Sequence, residues 1–337
     1  MIGYLRFFLA SLVVYSHLDF PLWSFLGLKI NQGVFAVFCF YIISGFFTAL
    51  IFDRFKNSKN QMIEFYFDRL LRLVPLFCIV MCLVFLGNQV QFTPSLRILP
   101  EHAVSLKHLF LSFLQPINGV VGFLLAGDFS FGAYSHVTPA PSLALEVKYF
   151  FIFPFLALLR SSYLKTIMGA AVVCTVYCLH RQHIDLVESF TYRYLFGTLP
   201  LFLTGFIIYR QNKGEETSQK FKVEYIAAGI GILYCSLLLA MNLERVPWLM
   251  ENALALLLCP AALKYLLKFK SGKIDHLAGY LSYGIFLVHI PIIHFLNIRQ
   301  SKVEYLLAVL VLASALSFIL HHLVERPVLK IRHRKGR

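Results

Sequence analysis

The stretch Gly33 to Phe52 reads GVFAVFCFYIISGFFTALIF, twenty residues without a single charge. Wound as an α-helix it is about 30 Å long, the thickness of a bilayer's hydrocarbon core. Its small residues, Gly33, Ser44 and Gly45, allow a second helix to approach closely. Outward from this segment the pattern recurs. Apolar runs lie at Tyr4–Ser24, Leu70–Val90, Ser142–Leu159, Leu164–Leu179 and Tyr192–Tyr209. Four more follow at Val223–Leu243, Leu249–Leu267, Leu277–Ile298 and Val303–Val324. The expected architecture is all-α, a polytopic membrane protein of about ten transmembrane helices.

Composition supports the same reading. Of 337 residues, 58% are hydrophobic and 34 are Phe, while only 14% are charged. A soluble domain carries about 25% charge. Mean hydropathy is +0.71. Soluble, disordered, coiled-coil and collagen-like chains are excluded together. The seven cysteines all lie in apolar runs, two pairs at i,i+4 (Cys78/Cys82 and Cys174/Cys178), and read as core filler. No disulfide framework and no metal site is expected. The first run lacks a clean cleavage site and is expected to stay as a membrane helix.

The net charge of +14, from 31 Lys+Arg against 17 Asp+Glu, raises the question of nucleic acid. Sorting the basic residues by segment answers it. With both termini cytoplasmic, twenty-one fall on the inner connections and nine on the outer ones, leaving Arg6. That asymmetry is the positive-inside rule, so no nucleic-acid partner is expected. The outer connection Gln91 to Pro141 is too long for a plain loop. It contains a broken apolar stretch, Leu109 to Ala126, read as a folded, partly re-entrant outer loop. Residues 1–327 form one membrane domain, and 328–337 a basic tail lying on anionic lipid heads.

Ionisable residues inside spans are costly and point to function. Arg6 and His17 share the first run, eleven positions and so about 20° apart around a helix. A polar cavity along that stripe and a snorkelling Arg6 with a capping His17 fit it equally well. Arg69 and Arg72, in FYFDRLLRLVP, are helical neighbours. They form either a phosphate clamp or a positive-inside anchor. Glu146, in PSLALEVKYFF, can orient an imidazolium or pair with Lys148 or Arg193. In YLSYGIFLVHIP, Ser282 and His289 are seven apart and share a face, and Pro291 bends the helix. His289 suits a buried, hydrogen-bonded role and a ligand-binding one alike. No H-E-x-x-H, C-x-x-C, Walker or G-x-S-x-G pattern is present.

In order along the chain, these segments resemble the acyltransferase-3 family of multispan membrane acyltransferases, nearly end to end. The carrying motifs are Arg6-x10-His17, GVFAVFCFYIISGF, Arg69-x-x-Arg72 before Pro75, PSLALEVKYFFIFP, YLSYGIFLVHIP and Glu325-Arg326-Pro327. Pro141 stands where the family has an aromatic residue. The resemblance implies transfer of an acyl group, usually acetyl, from acyl-CoA to a hydroxyl of a bacterial envelope carbohydrate. O-antigen lipopolysaccharide, other surface polysaccharide and lipid-linked sugars are typical acceptors. It implies a multi-pass protein of the inner membrane, without the extracytoplasmic esterase-like domain of some members.

On this reading Arg6, Arg69 and Arg72 hold the donor, and His17 is the catalytic base, oriented by Glu146. Ser44, Ser282 and His289 contact substrate. Acetyl-CoA serves as donor and no metal is needed. The rival is a transporter or flippase for a glycan or small metabolite, which composition alone fits as well. No internal symmetry of the transporter kind is visible. A structural partner of a polysaccharide-synthesis complex is a third reading.

Overall fold

The computed structural model describes residues 1–25, 27–89, 140–181, 187, 190–214, 222–241, 248–298 and 300–328. The helices are α1 (Ile2–Ser16), α2 (Gln32–Arg54), α3 (Gln61–Gln89), α4 (Ala140–Ala157) and α5 (Ser161–His180). They continue as α6 (Leu195–Asn212), α7 (Val223–Ala240), α8 (Leu249–Leu266), α9 (Lys273–Phe295) and α10 (Val303–Leu320). Each apolar run of the sequence therefore contains a helix. The protein is an all-α membrane protein. Among the described residues six helices (α2, α5, α7, α8, α9 and α10) are long and apolar enough to cross a bilayer by length and composition.

Two boundaries differ most from expectation, and the first is that α3 begins at Gln61, well ahead of Leu70. The first run was bounded at Ser24, but α1 stops at Ser16, and Trp23–Phe25 is a strand, β1. It pairs antiparallel with β2 (Leu28–Ile30), Trp23 opposite Ile30, through a turn in which Gly27 has a φ of 81°. Hydropathy does not see the reason. Asp19, with a φ of 53°, turns the chain, and Pro21 follows. Residues 91–139 of the outer connection lie outside the described residues, as do 329–337 of the tail.

Two compact units are present. The first comprises residues 1–2, 21–58 and 149–272. There α2 packs on α6 so closely that side chains are excluded from the crossing. A methyl added at Gly45 would overlap the Phe202 carbonyl, and one at Gly205 the Ile42 carbonyl. Beside this crossing, Tyr41, Phe202 and Tyr149 form a stack with ring centroids 4.7 and 4.3 Å apart. Cys39 and Cys259 fill this core, whereas Cys82 and Cys174 are exposed rather than core filler. On an apolar helix, exposed positions face lipid. Asn31 caps α2 with its Oδ1, accepting from Val34 N at 3.1 Å. At the other end Asp53 accepts from Tyr209 and Lys213.

The second unit comprises residues 3–20, 59–148 and 273–337. It contains α1, α3, the first part of α4, α9 and α10. Asp275, near the start of α9, accepts from the Tyr4 backbone N–H at 3.0 Å, supplying an orphan donor of α1's first turn with a partner. Tyr283 of α9 donates to the Leu73 carbonyl of α3 at 2.9 Å. Large apolar residues of α10, among them Leu307, Val311 and Ile319, stay exposed, as lipid contact requires. At its end α10 widens into a π-helical turn, His321–Glu325.

Candidate active site

The second unit carries seven of the eight residues singled out in the sequence. Arg6 lies on α1, and the charges acting on it are those of Arg72, Glu146, Glu325 and Arg69. Helices α1, α3, α4 and the end of α10 thus bring their ionisable groups into one field. No hydrogen bond or ion pair holds the Arg6 guanidinium among the described residues, so its donors remain available to a ligand.

Arg69 and Arg72 are both engaged by carboxylates of the protein. Arg69 donates to Asp68 from Nη2 at 2.6 Å and from Nε at 3.2 Å. Arg72 donates from Nη1 to Glu325 Oε1 at 2.7 Å. Its guanidinium carbon also stands 5.3 Å from the Tyr283 ring centre and 6.0 Å from that of Tyr280. Both arginines are largely buried, with side-chain exposures of 10% and 16%. A plain positive-inside anchor would leave its charge in water. Here each charge is desolvated and paired, an arrangement in which losing either partner is costly.

A second level lies farther along α1. His17 follows the last helical residue, with its N–H still 3.3 Å from the Val13 carbonyl. It is exposed, roughly 16 Å along the axis from Arg6. Its ring centre is 5.2 Å from that of His289, tilted by 43°. His289 is fully buried on α9. Its Nδ1 lies 3.0 Å from the Ile285 carbonyl and donates to it. That fixes the tautomer and leaves Nε2 with a lone pair. Nε2 has no hydrogen-bond partner among the described residues. Buried polar atoms seldom stay unsatisfied, so this nitrogen is open to a hydrogen-bond donor.

One expected association is not found. Glu146 makes no contact with His17 among the described residues. It acts on Arg6 and on Tyr283 instead. The group against His17 is His289, and the carboxylate acting on His17 is Asp19. Ser282 is buried and donates to its own helix, to the Gly279 carbonyl at 2.8 Å. Ser44 lies on α2, in the first unit.

Four residues absent from the candidate set complete the cluster: Asp68, Tyr283, His321 and Glu325. The price of burial was the available signal for two of them, since His321 sits inside the last apolar run and Glu325 just past its edge. Nothing in the sequence linked position 325 to position 72. Among the described residues no group of His, Cys, Asp and Glu is placed to hold a metal ion.

The second unit is thus a set of apolar helices with buried, paired arginines at one level and a histidine pair at another. The acyltransferase-3 family model, described as an acyltransferase domain, matches residues 2–322. The chain belongs to that family and is a membrane acyltransferase. It is also similar to an uncharacterised protein of Aquifex aeolicus (strain VF5), 25% identical over 201 residues. That match spans 58% of this chain and 90% of the relative. No solved structure matches.

Proposed function

We propose that the protein is an O-acetyltransferase of the bacterial inner membrane. It takes acetyl from cytoplasmic acetyl-CoA and delivers it to a hydroxyl of an envelope carbohydrate such as O-antigen or another surface polysaccharide. Ten spans with both termini in the cytoplasm put Arg6, Arg69 and Arg72 on the donor side and His17 toward the acceptor. The carrying observation is the arrangement on α1, with Arg6 among the arginines and carboxylates and His17 against His289.

In this reading the arginines bind the phosphates of the donor, for which forked guanidiniums are suited. His17 takes the proton from the acceptor hydroxyl, and the resulting oxygen attacks the thioester carbonyl. The C–S bond breaks and the thiolate leaves, recovering a proton. The Nε2 lone pair of His289 orients the acceptor by taking a hydrogen bond from it. Glu146 belongs to the donor level, where it balances Arg6. The test incubates membranes containing the protein with [acetyl-14C]acetyl-CoA and an envelope glycan. Label in alkali-labile ester on the glycan is the expected result. Absence of such label, with the protein present and folded, overturns the proposal.

A further inference from the structure

Arg72 is joined to the last helix by a chain of three residues. Its Nη1 donates to Glu325 Oε1 at 2.7 Å, and Glu325 Oε2 accepts from His321 Nδ1 at 2.6 Å. The His321 ring stacks on Tyr280, 4.6 Å between centres and 25° between planes. Glu325 and His321 are each only 6% exposed. Both belong to the π-helical turn, a rare form that gathers at functional sites. A small recess of about 10 Å³ opens beside the chain, lined among others by Arg72, Glu325, Leu71, Pro75 and Val324.

We infer that Glu325 holds the Arg72 fork in the place of a donor phosphate, and that His321 takes up one proton when a phosphate replaces the carboxylate. His321 and Glu325 are then positioning residues for Arg72. The inference rests on the reading that an acyl-CoA phosphate binds at Arg72.

The charge balance requires the proton. With Arg72 cationic and Glu325 anionic, the pair has no net charge. A phosphate oxygen bound to Arg72 would leave Glu325 buried and anionic without a cation, which is strongly unfavourable. Protonation of His321 at Nε2, from the cytoplasmic water, restores neutrality. The Nδ1–H to Glu325 bond is kept throughout, so no residue need travel far. The surrounding groups are few. Arg72 of α3 and Arg6 of α1 act on Glu325, while Glu146 of α4 acts on Arg6. Tyr280 of α9 covers one face of His321, and His322 meets its edge at 5.4 Å. His321 is the titratable group hydrogen-bonded to the displaced carboxylate.

Binding linked to the uptake of one proton weakens about tenfold per pH unit once the free protein has given that proton up. The experiment measures the Kd of coenzyme A for full-length protein in nanodiscs between pH 5.5 and 8.5. Wild type is compared with His321→Gln and Glu325→Gln, each first shown to elute as wild type does. Titration of the ligand's own phosphate is common to all three and cancels. Wild-type affinity is expected to fall with rising pH about tenfold per unit more steeply than that of His321→Gln. Glu325→Gln, which no longer competes as an anion, is expected to bind coenzyme A more tightly at pH 8.5 and with the shallower slope. Equal slopes in wild type and His321→Gln overturn the inference while leaving donor binding intact, as does weaker binding by a well-folded Glu325→Gln. If Glu325→Gln does not fold, the slope difference of His321→Gln decides alone. No binding of coenzyme A to wild type at any pH overturns the donor reading and the inference with it.

Discussion

His17 and His289 show how two residues of one type acquire different tasks from their surroundings. His17 is exposed at the end of α1. His289 is buried, with one nitrogen committed to Ile285 and the other unpartnered among the described residues. His17→Ala is expected to lower acetyl transfer by about 10²–10⁴-fold, the usual worth of a general base. The protein should still reach the membrane, because an exposed side chain is not part of the core. Initial rates with labelled donor, normalised to membrane protein by immunoblot, check this. A rate near wild type would remove His17 from the reaction. The sequence disclosed this pair only in part. The eleven-residue spacing put Arg6 and His17 on one stripe of one helix. No spacing rule could bring residue 289 to residue 17, since that proximity is a product of packing between helices. The neighbours of Glu146 were hidden for the same reason, because its depth in the bundle depends on residues that sequence does not name.

Among elements, the α2–α6 crossing is set by backbone meeting backbone. Gly45 faces the carbonyl of Phe202 and Gly205 that of Ile42, so each helix presents a gap to the other. Gly45→Ala and Gly205→Ala are each expected to destabilise the protein by about 1–3 kcal/mol, the usual cost of overpacking. Gly229 on α7 has nothing within 4 Å of an added methyl, and Gly229→Ala should leave stability unchanged. Thermal unfolding midpoints in detergent separate the three. Equal midpoints for Gly45→Ala and Gly229→Ala would refute the close crossing. Here the sequence was informative, since Gly33, Ser44 and Gly45 marked α2 as a helix made for close approach. It did not mark Gly205 as the reciprocal gap. Run length was a sound guide to where helices form and a poor guide to where they stop. Hydropathy carried the first run through Ser24, whereas Asp19 and Pro21 end it eight residues sooner.

At the scale of the whole molecule, the charge asymmetry implies a definite sidedness. With ten spans and cytoplasmic termini, the turn before α9 faces the cytoplasm and the turn after it faces outward. A cysteine at Lys270 should then resist a membrane-impermeant maleimide in intact spheroplasts and react after permeabilisation. A cysteine at Gln300 should react in both. The reverse pattern would invert the topology and place the arginines on the wrong side for a cytoplasmic donor.

The two bonds that complete the second unit span almost the whole chain. Tyr4 finds Asp275 across 271 positions, and Arg72 finds Glu325 across 253. A ribosome makes the first partner of each pair long before the second. Throughout that interval the nascent chain has an uncapped first helix and a guanidinium in the membrane without its carboxylate. Assembly of this half must therefore wait for the final helix to be inserted. A message cut short by a stop codon ahead of position 325 would release a chain with nearly all its apolar helices and no carboxylate for Arg72.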